Sequence, residues 1–149
     1  PNEPMTRAML VTVLYRLEGE PPVTGANSFT VVGSGQWYTD AVLWANAKGI
    51  VAGYGGGLFG AGDSITRQQM AAILHRYASH KGYDVTAAAD LSAYTDASEV
   101  SDWAETAMKW AKAEGLITGR TASTLAPEGS ATRAEVAAIL QRFVAGFTE

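Results

Sequence analysis

The sequence predicts an all-α protein built from tandem helical repeats, and three observations carry that prediction. The first is a triplicated helix start: Thr6-Arg7, Thr66-Arg67 and Thr132-Arg133 each open an apolar stretch. The second is register. Residues 37–78 align with residues 103–144 at a constant offset of 66 without a gap, so Trp37 matches Trp103, Trp44 matches Trp110, Gly49 matches Gly115 and Gly53 matches Gly119. The third is periodicity. Leu10, Val13, Leu14 and Leu17 fall at i, i+3, i+4 and i+7, the spacing of one helix face.

Each element follows from local signals. The first helix lies within residues 1–18, and Gly19 with Pro21-Pro22 ends it. Residues 20–36 are rich in Gly, Pro, Ser and Thr and form a loop, with Phe29-Thr30-Val31-Val32 as a short extended piece. A helix over about 38–48 places Trp37, Ala41, Trp44, Ala45 and Lys48 on one side, and Gly49 suits its left-handed C-terminus. Gly53-Tyr54-Gly55-Gly56-Gly57 makes a tight turn, followed by the apolar anchors Leu58-Phe59. The second Thr-Arg helix covers about 67–81, turns Met70, Ile73, Leu74 and Tyr77 inward, and stops at Gly82. Residues 83–93 form a linker, and Tyr94-Thr95-Asp96 opens a new unit. A helix over about 102–114 carries Trp103, Ala107, Trp110 and Ala111, and a turn through Leu125-Ala126-Pro127 leads to the last helix, about 133–145.

The first Thr-Arg copy aligns to the second at an offset of 60, from Pro1 onward. The chain therefore divides into the back half of one repeat (1–19) and two full repeats (29–82 and 94–147). No unit of this size buries both its apolar faces alone, so the three are expected to pack as one compact domain. Three equivalent Thr-Arg helices predict a central three-helix bundle with pseudo-threefold symmetry.

Composition narrows the function. Hydrophobic residues are 47% of the 149, as in a folded globular chain. No apolar run approaches the roughly 20 residues of a membrane span, so no membrane insertion is expected. The net charge of −4 argues against nucleic acid as a partner. The absence of cysteine excludes disulfides, thiolate metal sites and cysteine nucleophiles. The chain starts at Pro1, and a piece of a longer protein is expected.

The threonines are N-caps. Thr66 with Gln69 and Thr132 with Glu135 make capping boxes, whereas Thr6 is followed by Met9 and keeps half of one. The arginines are harder to explain, because a cation at the first helical position opposes the helix dipole. Either Arg7, Arg67 and Arg133 form salt bridges between repeats, or they join free helix N–H groups in binding an anion such as a carboxylate. Trp44 and Trp110 suit the core. Trp37 and Trp103 stand at helix entrances, either as core or as flat apolar surfaces for a sugar ring. The Gly53–Gly57 turn lacks the Gly-Lys-Ser/Thr ending of a phosphate loop. His75 and His80 are five apart, which is not the spacing of a helical metal pair, and Asp63 does not open an EF-hand loop. No Ser-His-Asp grouping is visible, so neither a catalytic site, a metal nor a cofactor is expected.

The combined motifs resemble S-layer homology domains. One repeat shows Trp37-Tyr38, Ala41-x-x-Trp44-Ala45, Gly49-Ile50-Val51-x-Gly53-Tyr54, Phe59 and Ile65-Thr66-Arg67. The other shows Tyr94-x-Asp96, Trp103-Ala104, Ala107-x-x-Trp110-Ala111, Gly115-Leu116-Ile117-x-Gly119, Leu125-x-Pro127 and Ala131-Thr132-Arg133-Ala134-Glu135. The resemblance implies a pseudo-threefold spindle of three repeats around a central three-helix bundle. It also implies a non-enzymatic anchor outside the bacterial cell, binding secondary cell wall polysaccharide in grooves between repeats, often through a pyruvylated terminal sugar. The ligand-binding residues it implies are Arg7, Arg67 and Arg133, with Trp37, Trp103, Gly53, Gly119 and Asp96 as further members. The alternative is a structural module for self-association or protein–protein assembly in a cell-surface layer. The sequence departs from the family pattern at Val31, where the opening Asp is missing, and at Met9 and Gln69, which replace the Glu after Thr-Arg-Ala. The front half of the first repeat is absent, which predicts at most two complete grooves and self-association through the incomplete repeat.

Overall fold

The computed structural model describes residues 3–20, 39–50, 63–121 and 123–147, with side chains as far as residue 145. Five α-helices run through them: α1 (Arg7–Leu17), α2 (Thr39–Ala47), α3 (Arg67–His80), α4 (Glu105–Ala113) and α5 (Arg133–Phe147). Among the described residues extended pairing is limited to three isolated bridges, Pro4 with Thr132, Thr6 with Ser64, and Thr66 with Ser130. The all-α class is borne out. Phe29–Val32, Trp37 and the stretch from Gly53 through Phe59 lie outside the described residues.

Contacts divide the chain into two units, Met5–Ser64, and Ile65–Glu149 together with Pro1–Pro4. In the first, α1 packs on α2, with the Tyr15 and Trp44 rings 5.5 Å apart. Ala8, Leu10, Val11 and Leu14 of α1 are buried, as are Ala41, Val42, Trp44 and Ala45 of α2. The predicted α1 face shifts in two places. Val11 is buried, whereas Val13 is half-buried and Leu17 is 47% exposed. Burial on α1 follows two adjacent sides rather than one stripe, and Leu17 stands at the last helical residue. Thr12 is buried too, and its hydroxyl donates to Ala8 O at 2.7 Å, so the polar group is satisfied within the helix.

The second unit is organised by α3. Met70, Ile73, Leu74 and Tyr77 are buried as predicted, and Ala71, Ala72 and Ala78 are buried as well. A helix buried on nearly all sides is a core helix. Against it, α4 brings Trp110 edge-on to His75, with ring centroids 5.3 Å apart. Phe143 of α5 meets Tyr77 at 5.8 Å and Tyr83 at 6.3 Å. The expected helix over 102–114 begins as a tighter 3₁₀ turn, Asp102–Ala104, and a second 3₁₀ turn, Ala97–Glu99, precedes it. The 83–93 linker is tied down: Ala89 N donates to Lys109 O at 3.0 Å, and Leu91 is buried. Gly49 and Gly115, equivalent in the two repeats, end α2 and α4 at φ +73° and +72°, a conformation that L side chains resist.

All three Thr-Arg helix starts are closed in the same way. Thr6 Oγ1 accepts from Met9 N, Thr66 Oγ1 from Gln69 N and Thr132 Oγ1 from Glu135 N, each at 3.1 Å. Gln69 and Glu135 return the bond through their side chains to Thr66 N and Thr132 N. The arginine N–H at each start is also used: Arg7 N donates to Asp63 O, Arg67 N to Gly129 O and Arg133 N to Glu3 O, at 3.0, 2.9 and 2.8 Å. Each acceptor stands four residues before a Thr-Arg arginine. Thr66→Ala removes one cap of α3, and a stability loss of about 1 kcal/mol is expected, read as a lower urea midpoint.

Candidate functional site

A groove of about 220 Å³ opens within the Ile65–Glu149 unit. Its apolar floor is Leu116, Ile117, Ala138 and Ile139. Its polar lining is Arg67, Thr118, Arg120, Glu135 and Arg142, with Gly119 between Thr118 and Arg120. Three guanidinium groups therefore face one carboxylate, in a chain whose net charge is −4.

The helix cap places Arg67 at the first position of α3, and the side chain then turns into the groove wall. It is 4% exposed. Nε donates to Leu125 O at 2.8 Å, Nη1 to Glu135 Oε2 at 2.7 Å, and Nη2 to Thr118 O at 2.5 Å. Burial pulls the guanidinium below its ordinary pKa, Glu135 opposes that pull, and nearby Arg120 adds to it. The ion pair alone would raise the arginine's pKa, and the burial of Arg67 itself outweighs it.

Glu135 serves three groups with two oxygens. Oε1 accepts from Thr132 N and from Arg120 Nη2, both at 3.0 Å, and Oε2 accepts from Arg67. Burial pushes its carboxyl up, but the Thr132 N–H, Arg120 and Arg67 together hold it below its ordinary 4.5. The helix N–H groups expected to be free for an anion are not free at α3. Arg67 N and Gln68 N donate to the carbonyls of Gly129 and Pro127, and Gln69 N donates to the cap.

Asp96 supports the groove from behind. Its carboxylate accepts from Leu125 N at 2.8 Å and Ala126 N at 2.9 Å. Ala126 has φ +52°, a strained value for a residue with a Cβ. Asp96 therefore fixes the turn whose Leu125 carbonyl receives Arg67. The Leu125 N–H is the main reason that its carboxyl lies below the usual 3.8. Gly119 is needed for close approach. A Cβ there would stand 2.7 Å from Tyr94 Cε1 and 2.8 Å from Thr124 O, and closer still to Thr121 O.

Trp103, Arg133 and Arg7 are not among the residues that line this groove. Trp103 is 55% exposed in the 3₁₀ turn before α4. Arg133 is 46% exposed and pairs with Glu3 at 3.3 Å. Arg7 is buried in the other unit. Trp37 and Gly53 lie outside the described residues. Sequence inspection did not single out Arg120 or Arg142. Arg120 occupies the position equivalent to Tyr54, and Arg142 follows Arg133 by nine, as Arg76 follows Arg67 and Arg16 follows Arg7.

A family model of the S-layer homology domain matches residues 30–71 and 93–137. The chain belongs to the S-layer homology domain family. Arg67 lies in the first matched repeat, and Thr118, Arg120 and Glu135 lie in the second. The chain is 35% identical over 144 residues to an amylopullulanase of Thermoanaerobacterium thermosulfurigenes, covering 94% of this chain and 8% of that protein. It is 29% identical to the surface-layer 125 kDa protein of Lysinibacillus sphaericus, covering 97% of this chain and 12% of that protein. It is 26% identical to a cellulosome-anchoring protein of Acetivibrio thermocellus, covering 95% and 32%. The S-layer homology chain thus spans a third or less of each of these relatives.

Two outcomes follow from this geometry. Glu135→Gln leaves the buried Arg67 without its counter-charge. A loss of up to about 3 kcal/mol is expected in chemical denaturation, at the low end for a buried pair because Glu135 is 29% exposed. Asp96 and Glu135 both have depressed folded pKa values, so their contribution is complete above the unfolded values of 3.8 and 4.5 and is lost as pH falls through the folded ones. The melting temperature should therefore drop below about pH 5, and Asp96→Asn should flatten that acid limb.

Proposed function

We propose that this chain is a non-enzymatic anchoring module that holds its parent protein at the outer surface of a bacterial cell by binding an acidic cell wall polysaccharide. The observation that carries this reading is the groove in the Ile65–Glu149 unit, where three guanidinium groups surround an apolar floor. A volume of about 220 Å³ suits a ligand smaller than a drug-sized molecule, such as a single sugar unit. An acidic group meets the arginines while the ring lies on Leu116, Ile117 and Ile139. The relatives support anchoring: one is named as a surface-layer protein and one as an anchoring protein, and in the amylopullulanase the matching segment is 8% of the chain.

Within this reading Arg67 marks the occupied groove, and Arg7 and Arg133 mark equivalent places in the other repeats. Trp103 offers an exposed indole on which a further sugar ring of the polysaccharide stacks outside the groove, and Trp37 is its repeat equivalent. Asp96 and Gly119 shape the loop beside the groove, with Gly53 equivalent to Gly119. The repeat division at 1–19, 29–82 and 94–147, with pseudo-threefold placement of the Thr-Arg helices, is part of the same proposal. The matching hydrogen bonds from Arg7, Arg67 and Arg133 N–H to residues 63, 129 and 3 support it.

The test is co-sedimentation and calorimetry with purified pyruvylated wall polysaccharide. Binding is expected, and Trp103→Ala should weaken it by about tenfold, or ~1.4 kcal/mol. A chain that ignores the polysaccharide but self-associates in sedimentation velocity would replace this reading with that of an assembly module.

A further inference from the structure

We propose that the groove's anion contacts are made by Arg120 and Arg142, and that Arg67 is a positioning residue that holds the groove wall without touching the ligand. The inference rests on the glycan-binding reading and assigns its specificity.

Donor accounting carries the assignment. Every nitrogen of Arg67 is already engaged, by two carbonyls and one carboxylate, and the residue is 4% exposed. A ligand carboxylate reaching it would have to displace Glu135, which also caps α5 and pairs with Arg120. That exchange leaves the partly buried Glu135 carboxylate seeking a partner, so it is unfavourable.

Arg120 is placed differently. Its side chain is 39% exposed. Nη2 is committed to Ser130 O at 2.8 Å and Glu135 Oε1 at 3.0 Å, which fixes the guanidinium plane. Nε and Nη1 make no hydrogen bond among the described residues. Arg142 is exposed on α5, and its one bond among the described residues is a long one, Nη1 to Leu116 O at 3.4 Å. It has no ion pair among the described residues. Glu135 neutralises one of three positive charges, so the groove retains a surplus of two, both on residues with unused donors. Arginines with open donors over an apolar floor fit a sugar carrying one carboxylate, which they bind through charge-assisted bonds.

The repeat arithmetic explains how this specificity arises. Arg142 has counterparts at Arg16 and Arg76, whereas the position of Arg120 is Tyr54 in the other full repeat. Arg120 therefore distinguishes this repeat from the other full one.

The test is calorimetry with two probes, the methyl glycoside of a pyruvate-ketal hexosamine and the methyl ester of the same compound, in which the carboxylate is neutral. The unaltered chain should prefer the acid by roughly tenfold or more, the scale of one charge-assisted contact. Arg120→Gln and Arg142→Gln should each narrow that preference by weakening acid binding more than ester binding. Arg67→Lys should lower the melting temperature and weaken acid and ester alike, with the preference kept. If the chain prefers the acid and neither Gln variant narrows the preference, the assignment is wrong and the glycan reading stands. If Arg67→Lys alone abolishes the preference, Arg67 is the contact and the assignment again falls. If neither probe nor the wall polysaccharide binds, the glycan reading falls and takes this inference with it.

Discussion

The buried guanidinium of Arg67 sets the terms for the whole Ile65–Glu149 unit. A charge removed from water must find partners for its donors, or the fold loses several kcal/mol. Here the partners come from three separate stretches: the Thr118 carbonyl before the 119–124 loop, the Leu125 carbonyl after it, and the Glu135 carboxylate on α5. One side chain from α3 therefore gathers the α4–α5 connection into a fixed wall. Asp96 completes the wall by holding the Leu125–Ala126 turn in a strained left-handed geometry.

The same economy explains why Glu135 has so many duties. As the third residue of a capping box it must lie over the start of α5. That position puts its free oxygen within reach of Arg67 and leaves the other oxygen to share between the cap and Arg120. Local helix chemistry and long-range assembly thus use one carboxylate. The arrangement also separates a buried lock from exposed charge. The lock of Arg67 and Glu135 builds part of the groove wall, while Arg120 on the loop and Arg142 on α5 add exposed positive charge beside it.

Segments similar to this chain occur in relatives named as an enzyme and as a surface-layer protein. The chain matches at most 32% of the relatives described above, and at least one of them is named for an enzymatic activity.

The sequence by itself determined the helices and their ends, because these depend on neighbours three or four residues away. Thr66 with Gln69, Thr132 with Glu135, and the stops at Gly49 and Gly115 are local rules that tertiary context did not override. The repeat offset of 66 likewise exposed Arg67 and Arg133 as unusual. What only the tertiary structure decided was where those arginines spend their donors. Arg67 is satisfied by residues 51 to 68 positions away, and Arg133 by Glu3 at the far end of the chain. No local pattern encodes such pairings. The same holds for Arg120 and Arg142, ordinary surface arginines in the sequence, which become a groove lining only once α5 lies alongside the 118–120 loop.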